Sequence, residues 1–107
     1  MFTVSICEDE DYFISELRKL LDQYCLSKGI RLSISTFSNG EKLLASGQTD
    51  DIIFMDIRLP GRDGMNVVQR LRDLGSGSQV VFITAYPQYV FRAFDLDAAH
   101  YILNTNV

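Results

Sequence analysis

Five acidic or polar side chains stand directly after short apolar segments of this 107-residue sequence. They are Glu8, Asp9, Asp56, Thr84 and Asn104. If the apolar segments are strands of a parallel sheet, their carboxyl ends lie along one edge, where open α/β folds bind their ligands. The sequence therefore predicts that these side chains meet at that edge, although Asp56 taken alone could simply end its strand or cap the next element.

Glu8, Asp9 and Asp56 would bring three negative charges together at this edge. At roughly 4 Å and an effective dielectric constant of about 20, each pair of carboxylates costs about 4 kcal/mol. Without compensation, one of them would have to take up a proton. A hard divalent cation bound by few carboxylates, water and a backbone carbonyl is the natural compensation, and this description fits Mg²⁺. The alternative is a solvated acidic turn without a metal.

Short apolar runs alternate with helical patterns along the chain. Strands are predicted at residues 3–7, 30–37, 52–55, 79–84 and 101–103, and helices at about 11–28, 38–45, 64–74 and 87–95. This alternation indicates βαβ units, and therefore a parallel sheet with helices on both faces.

For two of the strands and for the first helix, the sequence also predicts which side chains are buried. Residues 52–55 form an uninterrupted apolar run between turn residues, which is typical of a strand buried on both faces. Residues 30–37 alternate between apolar and polar side chains, which indicates an edge strand. In the first helix, apolar side chains recur every three or four residues and predict one stripe that faces the core. The stripe consists of Phe13, Leu17, Leu20, Leu21 and Tyr24.

Length, composition and charge narrow the classes of function. A chain of 107 residues is expected to form one domain, and its net charge of -4 leaves no basic surface for nucleic acid. No apolar run is long enough for a membrane span or a signal peptide, so the expected location is the cytoplasm. Cys7, Cys25 and His100 lack the spacing of a zinc site, and both cysteines are expected to be small buried apolar residues.

The residues at the strand ends resemble the receiver domain of two-component response regulators. The resemblance rests on Glu8-Asp9, on Asp56 with the I-R-L-P-G-R-D-G that follows it, and on Thr84-Ala85. It covers nearly the whole chain and implies a doubly wound, five-stranded parallel sheet of the flavodoxin type with strand order 2-1-3-4-5. The run from residue 85 to residue 103 is similar to receivers attached to LytTR-type DNA-binding domains.

The resemblance also implies a role for each residue of the acidic cluster. Asp56 is the implied phosphoryl acceptor, and a sensor histidine kinase is the implied donor. Asp9, Asp56 and the backbone carbonyl of Arg58 are the implied Mg²⁺ ligands, while Glu8 would act through a coordinated water.

A switch in the later strands is implied as well. Thr84 would move to hydrogen-bond a phosphoryl oxygen, and Tyr101 would then swing inward, which would change the surface formed by the fourth helix and the fifth strand. The expected output is a C-terminal DNA-binding domain outside this chain, with homodimerisation across the changed surface and no membrane partner. Because a receiver serves as a switch and loses its phosphate only slowly, no enzyme is expected.

The sequence ends shortly after its last predicted strand, at residues 101–103. A doubly wound sheet normally covers this strand with a further helix. Either a C-terminal part lies outside this chain or the uncovered surface meets a partner. We favour the first alternative and assign residues 1–107 to a C-terminally truncated receiver domain.

After the fifth strand, where the family carries Lys-Pro, this chain carries Asn104 and Thr105. Without the lysine, the two remaining carboxylates, Mg²⁺ and an acyl phosphate in place of the Asp56 carboxylate would leave about two uncompensated negative charges. We therefore expect slower phosphorylation or a weaker switch than in a lysine-bearing member, unless Arg58 or Arg62 compensates.

Two other functions compete with the phosphorylated switch. Asn104 supports a pseudo-receiver, which is an interaction module of the same fold that no longer depends on phosphate. A Mg²⁺-dependent phosphohydrolase would need a general acid two residues beyond its nucleophile, where the permanently charged Arg58 stands.

Overall fold

The chain folds as a parallel sheet flanked by helices. The computed structural model describes residues 1–103. In this range the strands are β1 (Phe2–Cys7), β2 (Leu32–Phe37), β3 (Ile52–Met55), β4 (Gln79–Thr84) and β5 (His100–Leu103). The helices are α1 (Asp11–Lys28), α2 (Gly40–Ala45), α3 (Gly64–Asp73) and α4 (Val90–Asp95). The five strands are all parallel, in the order β2-β1-β3-β4-β5, which confirms the predicted doubly wound architecture and the edge position of β2.

The register of the central strands determines which strand ends meet. Cys7 of β1 pairs with Met55 of β3, and Met55 in turn pairs with Phe82 of β4. The residues that follow the first two, Glu8 and Asp56, therefore leave the sheet side by side. The polar end of β4 emerges next to them.

One face of the sheet carries the buried core. Alternate side chains of a strand point to the same face, and the alternate residues on this face of β3 and β4 are all buried: Ile53, Met55, Val80 and Phe82. Helices α2, α3 and α4 pack against them through Leu43, Val67, Val68 and Ala93, and Leu96, which follows α4, packs there as well.

The opposite face is covered less completely. Ile52 and Phe54 of β3 are only partly buried, so the predicted burial of this strand is confirmed on one face and wrong on the other. Helix α1 packs on this side, yet none of its residues is fully buried. The predicted core stripe is wrong at Leu20 and Tyr24, which are 64% and 57% exposed.

The exposure of the α1 stripe has a physical cause in the layering. Within residues 1–103, α2, α3 and α4 all pack on the other face, which leaves α1 to cover this one. A groove of about 290 Å³ consequently remains open between α1 and the sheet. We call it the uncovered groove, and its apolar lining includes Leu17, Leu20, Phe54, Ile83, Ile102 and Leu103.

Two smaller predictions have mixed outcomes. Cys7 is buried as expected, whereas Cys25 of α1 is only partly buried. The helix predicted from residue 87 begins with a 3₁₀ turn, Pro87–Tyr89, before α4. Among the described residues, no helix is long and apolar enough to cross a membrane.

Candidate functional site

Three carboxylates converge at the carboxyl edge of the sheet. Glu8 and Asp9 follow β1, Asp56 follows β3, and one oxygen from each carboxylate lies within 4.8 Å of the others. Glu8 is buried, Asp56 is half-buried and Asp9 is exposed. The structure therefore brings together the acidic residues that the sequence placed at one edge.

These carboxylates line a cavity of about 300 Å³ that opens to solvent. Thr84, the last residue of β4, contributes a buried side chain to the same cavity, and it is 2% exposed. Arg58 and Tyr86 line the cavity as well. Asn104, predicted to lie at this edge, falls outside the described residues.

Burial and the nearby negative charges both raise the pKa values of the carboxylates in this cluster. The pKa of Glu8 is raised from 4.5 to about 9, first because burial removes water from the carboxylate, and second through its hydrogen bond with Asp56 and the negative charge of Asp56. Burial also raises the pKa of Asp56. At neutral pH, and with no cation bound, the two carboxyl groups therefore hold a proton between them.

The shared proton predicts an unusual dependence of stability on pH. The unfolded chain releases the Glu8 proton near pH 4.5 while the folded protein keeps it to about pH 9, so the free energy of unfolding must fall as pH rises across this window. Without divalent cations, we expect a fall of about 4 kcal/mol between roughly pH 5 and roughly pH 8, because one proton corresponds to about 1.4 kcal/mol per pH unit. Urea unfolding at a series of pH values measures it. Glu8→Gln should remove most of the slope, and a stability that rises with pH over this window in the native chain would contradict the shared proton.

The loop after Asp56 is tightly constrained. The Asp56 carboxylate accepts a hydrogen bond from the backbone N–H of Ile57 at 2.8 Å, and the Ile57 carbonyl accepts one from the N–H of Gly64, also at 2.8 Å. Asp63 caps α3 by accepting a hydrogen bond from the N–H of Asn66. A Cβ atom on Gly64 would lie 2.0 Å from the carbonyl oxygen of Asp56, so only glycine allows α3 to start this close to the acidic cluster.

Tyr86 connects Thr84 to Tyr101, and the sequence analysis did not identify it. The N–H of Tyr86 donates a hydrogen bond to the Thr84 hydroxyl at 3.3 Å, and the Tyr101 hydroxyl donates one to the Tyr86 carbonyl. Tyr101 also packs against the ring of the buried Phe82, with ring centroids 6.1 Å apart. A tyrosine two residues beyond a strand-end threonine was the only available signal, and it is a weak one.

The two arginines that follow Asp56 have different surroundings. The Arg58 guanidinium lies over the ring of Tyr86, 4.7 Å from its centroid, at the cavity. Arg62 instead forms an ion pair with Glu41, with 3.0 Å between Nε and Oε1. Of the two candidates for charge compensation, only Arg58 lines the cavity.

Known proteins share this fold and this sequence pattern. Residues 4–105 match the family model of the response regulator receiver domain. The chain is 34% identical over 104 residues to an uncharacterized response regulatory protein of Vibrio cholerae, covering 95% of this chain and 39% of that protein. It is 31% identical over 102 residues to the sensory transduction protein LytT of Bacillus subtilis, covering 95% and 42% respectively. The response regulatory domain of protein mrkE from Klebsiella pneumoniae matches with a TM-score of 0.85 at 30% identity, covering 98% of this chain and 84% of that one.

The fold and the comparisons together define a signalling domain. The chain belongs to the response regulator receiver family and is the receiver domain of a two-component response regulator. The LytT relative also agrees with the predicted similarity to receivers of the LytTR type. The chain spans about two fifths of the length of the curated relatives named above.

Proposed function

We propose that this receiver domain accepts a phosphoryl group on Asp56 from a sensor histidine kinase and thereby controls an output domain. One observation carries the proposal: the half-buried Asp56 carboxylate shares a cavity with two further carboxylates and with the buried side chain of Thr84. A cavity of this kind offers a nucleophile, a place for a cation and a hydroxyl donor around the position of one phosphoryl group.

The acidic cluster has the ligand chemistry of a Mg²⁺ site. Its donors are hard carboxylate oxygens that lie close together. Burial first, and the hydrogen bond and negative charge of Asp56 after it, raise the pKa of Glu8, and a cation would favour the charged form. Asp9, Asp56 and the backbone carbonyl of Arg58 would hold the ion, with Glu8 acting through a coordinated water. A bound Mg²⁺ supplies positive charge next to the reacting oxygens.

The proposed reaction is transfer of a phosphoryl group from histidine to aspartate. An oxygen of the Asp56 carboxylate attacks phosphorus, so that a P–O bond forms as the P–N bond of the phosphohistidine breaks. The departing imidazole keeps the electron pair of the P–N bond and takes up a proton. The product is an acyl phosphate on Asp56, and the backbone N–H of Ile57, 2.8 Å from this carboxylate, orients the attacking group.

In the proposed switch, a change at Thr84 is transmitted to Tyr101 through the loop that follows β4. The Thr84 hydroxyl would donate a hydrogen bond to a phosphoryl oxygen and so hold the loop that follows β4. Tyr101 already donates a hydrogen bond to the Tyr86 carbonyl in that loop. Phosphorylation would therefore stabilise this hydrogen-bonded position of Tyr101 and, with it, one arrangement of the α4–β5 surface.

We also propose that this receiver domain belongs to a larger protein. We assign residues 1–107 to a receiver domain that continues beyond this chain, with a last helix that fills the uncovered groove. The apolar lining of that groove supports this helix, because Leu20, Ile102 and Leu103 are otherwise 45–64% exposed. A C-terminal DNA-binding domain is the proposed output, with homodimerisation across the α4–β5 surface.

An NMR titration with Mg²⁺, followed by beryllofluoride as a mimic of the acyl phosphate, tests the proposed function. Mg²⁺ at millimolar concentration should shift the amide signals of Asp9 and Asp56, and beryllofluoride should then shift those of Thr84 and Tyr101. A protein that binds neither reagent would be a pseudo-receiver instead. A response confined to Asp9 and Asp56 would overturn the proposed switch.

A further inference from the structure

Arg58 is the only cationic side chain of the described chain that lines the acidic cavity. The sequence contains ten lysine and arginine residues, and all ten lie within residues 1–103. Glu8, Asp9 and Asp56 bring three carboxylates to the cavity, and Arg58 brings the one guanidinium. Any compensation of negative charge by a side-chain cation at this site therefore depends on Arg58.

The position of Arg58 is maintained by Tyr86. The guanidinium lies 4.7 Å from the Tyr86 ring centroid, within the range of a cation–π contact. Tyr86 is itself held by two backbone hydrogen bonds, from its N–H to Thr84 and from the Tyr101 hydroxyl to its carbonyl. The Tyr89 ring packs edge-on against it, with centroids 6.5 Å apart. The loop after β4 thus provides a fixed aromatic surface on which Arg58 rests at the cavity.

The chemistry of a guanidinium suits this place. Arg58 is exposed and forms no ion pair within 4 Å among the described residues, so its donors are free to turn toward an anion that enters the cavity. Its planar fork of N–H groups matches two phosphoryl oxygens, which a single ammonium group cannot do. The nearby Arg62 lacks this freedom because Glu41 already pairs with it.

We propose that Arg58 is a phosphoryl-binding residue of this receiver, and that the Tyr86 ring holds it at the cavity until a phosphoryl group arrives. This inference rests on the proposed phosphorylation of Asp56, and it identifies Arg58 as the side chain whose positive charge binds the phosphoryl group. When the phosphoryl group enters, the guanidinium leaves the Tyr86 ring and donates to the phosphoryl oxygens. The same movement frees the Tyr86 ring in the loop that connects Thr84 to Tyr101.

Removal of the Arg58 charge should change cation binding and phosphorylation in opposite directions. A positive guanidinium repels Mg²⁺ from the cavity, so Arg58→Gln should bind Mg²⁺ about threefold more tightly. The same variant should be labelled by phosphoramidate about tenfold more slowly at saturating Mg²⁺, because the donor phosphate loses a partner. A general loss of structure cannot tighten one and slow the other.

The experiment compares Arg58→Gln and Arg58→Lys with Arg62→Gln as the matched control. The control removes the same charge from the same loop but outside the cavity. Mg²⁺ affinity is measured by NMR titration, and labelling by intact mass against time. We expect Arg58→Lys to recover part of the labelling rate and Arg62→Gln to match the native chain. In the native chain, the Arg58 Nε–H signal, shifted by the Tyr86 ring, should move when beryllofluoride binds.

Each alternative outcome has a definite meaning. Equal labelling rates for Arg58→Gln and the native chain would overturn the inference while leaving the proposed function intact. Equal slowing in Arg62→Gln would overturn it too, since the effect would then be one of net charge. Failure of the native chain to be labelled on Asp56 at all would overturn the proposed function and this inference with it.

Discussion

Asp56→Asn is expected to abolish phosphoryl labelling and at the same time to stabilise the folded protein. The amide is nearly the same shape as the carboxylate and can still accept the hydrogen bond from the Ile57 N–H, but it is a poor nucleophile. Its neutral side chain also removes the charge that helps to raise the pKa of Glu8. Labelling by phosphoramidate with Mg²⁺ should fall at least about 100-fold. The melting temperature without divalent cations should rise by about 5 °C, the shift that about 1 kcal/mol gives in a domain of this size.

A matched control variant distinguishes the effect of losing the Asp56 carboxylate from the effect of changing the net charge of the protein. Asp22 is exposed on α1, far along the chain from the acidic cluster, and Asp22→Asn makes the same change in net charge. This variant should be labelled like the native chain and should melt close to it. Undiminished labelling of Asp56→Asn would show that another group accepts the phosphate. A lower melting temperature of Asp56→Asn would contradict the carboxylate repulsion on which the Mg²⁺ site is proposed.

The sheet and the acidic cluster were accessible to sequence reasoning because both depend on strand ends. Apolar runs that alternate with helical patterns are typical of parallel strands, and parallel strands have their carboxyl ends at one edge. A polar residue directly after such a run, such as Asp56 after β3, must therefore lie at that edge. The meeting of Glu8 with Asp56 needs only this topology and no knowledge of side-chain contacts.

How completely neighbouring elements bury α1 could not be predicted from the sequence in the same way. Periodicity indicates which side of a helix turns toward a sheet, but it does not indicate whether a neighbouring helix covers the margins of that side. Leu20 and Tyr24 belong to the apolar stripe and are nevertheless more than half exposed. Leu20 lines the uncovered groove, so its exposure depends on what packs there, which the pattern within α1 cannot report.

The partners of Arg58 and Arg62 were also beyond the sequence pattern. Both arginines follow Asp56 in an irregular loop, where no helical or strand period relates a residue to its neighbours in space. Arg58 meets Tyr86, which is 28 positions later, and Arg62 meets Glu41, which is 21 positions earlier. Such contacts depend on the conformations of two loops at once. The sequence therefore offered both as candidates for charge compensation, and the structure separates them.

Gly64→Ala is expected to destabilise the protein by about 3 kcal/mol, at the upper end of what an overpacked position costs. The added methyl group would lie 2.0 Å from the Asp56 carbonyl oxygen and about 3 Å from two further backbone atoms, at Asp56 and Ile57. Backbone atoms cannot rotate away as a side chain can, so the start of α3 must move off the end of β3. That shift would lengthen the hydrogen bond from the Gly64 N–H to the Ile57 carbonyl. Thermal unfolding should show a melting temperature lower by roughly 15 °C.

Gly77→Ala provides the comparison that makes the result specific to the clash. Gly77 has no atom within 4 Å of an added Cβ and does not adopt a positive φ, so alanine should be neutral or stabilise by about 0.5 kcal/mol through the unfolded chain. Because the clash at Gly64 is with the backbone of Asp56 itself, Gly64→Ala should also slow phosphoryl labelling of the molecules that remain folded, which Gly77→Ala should not. Labelling of folded Gly64→Ala at the native rate would mean that the acceptor carboxylate keeps its position without α3 beside it. In that case Gly64 would matter only for the packing of α3 against β3, and a shift of α3 would not affect the reaction at Asp56.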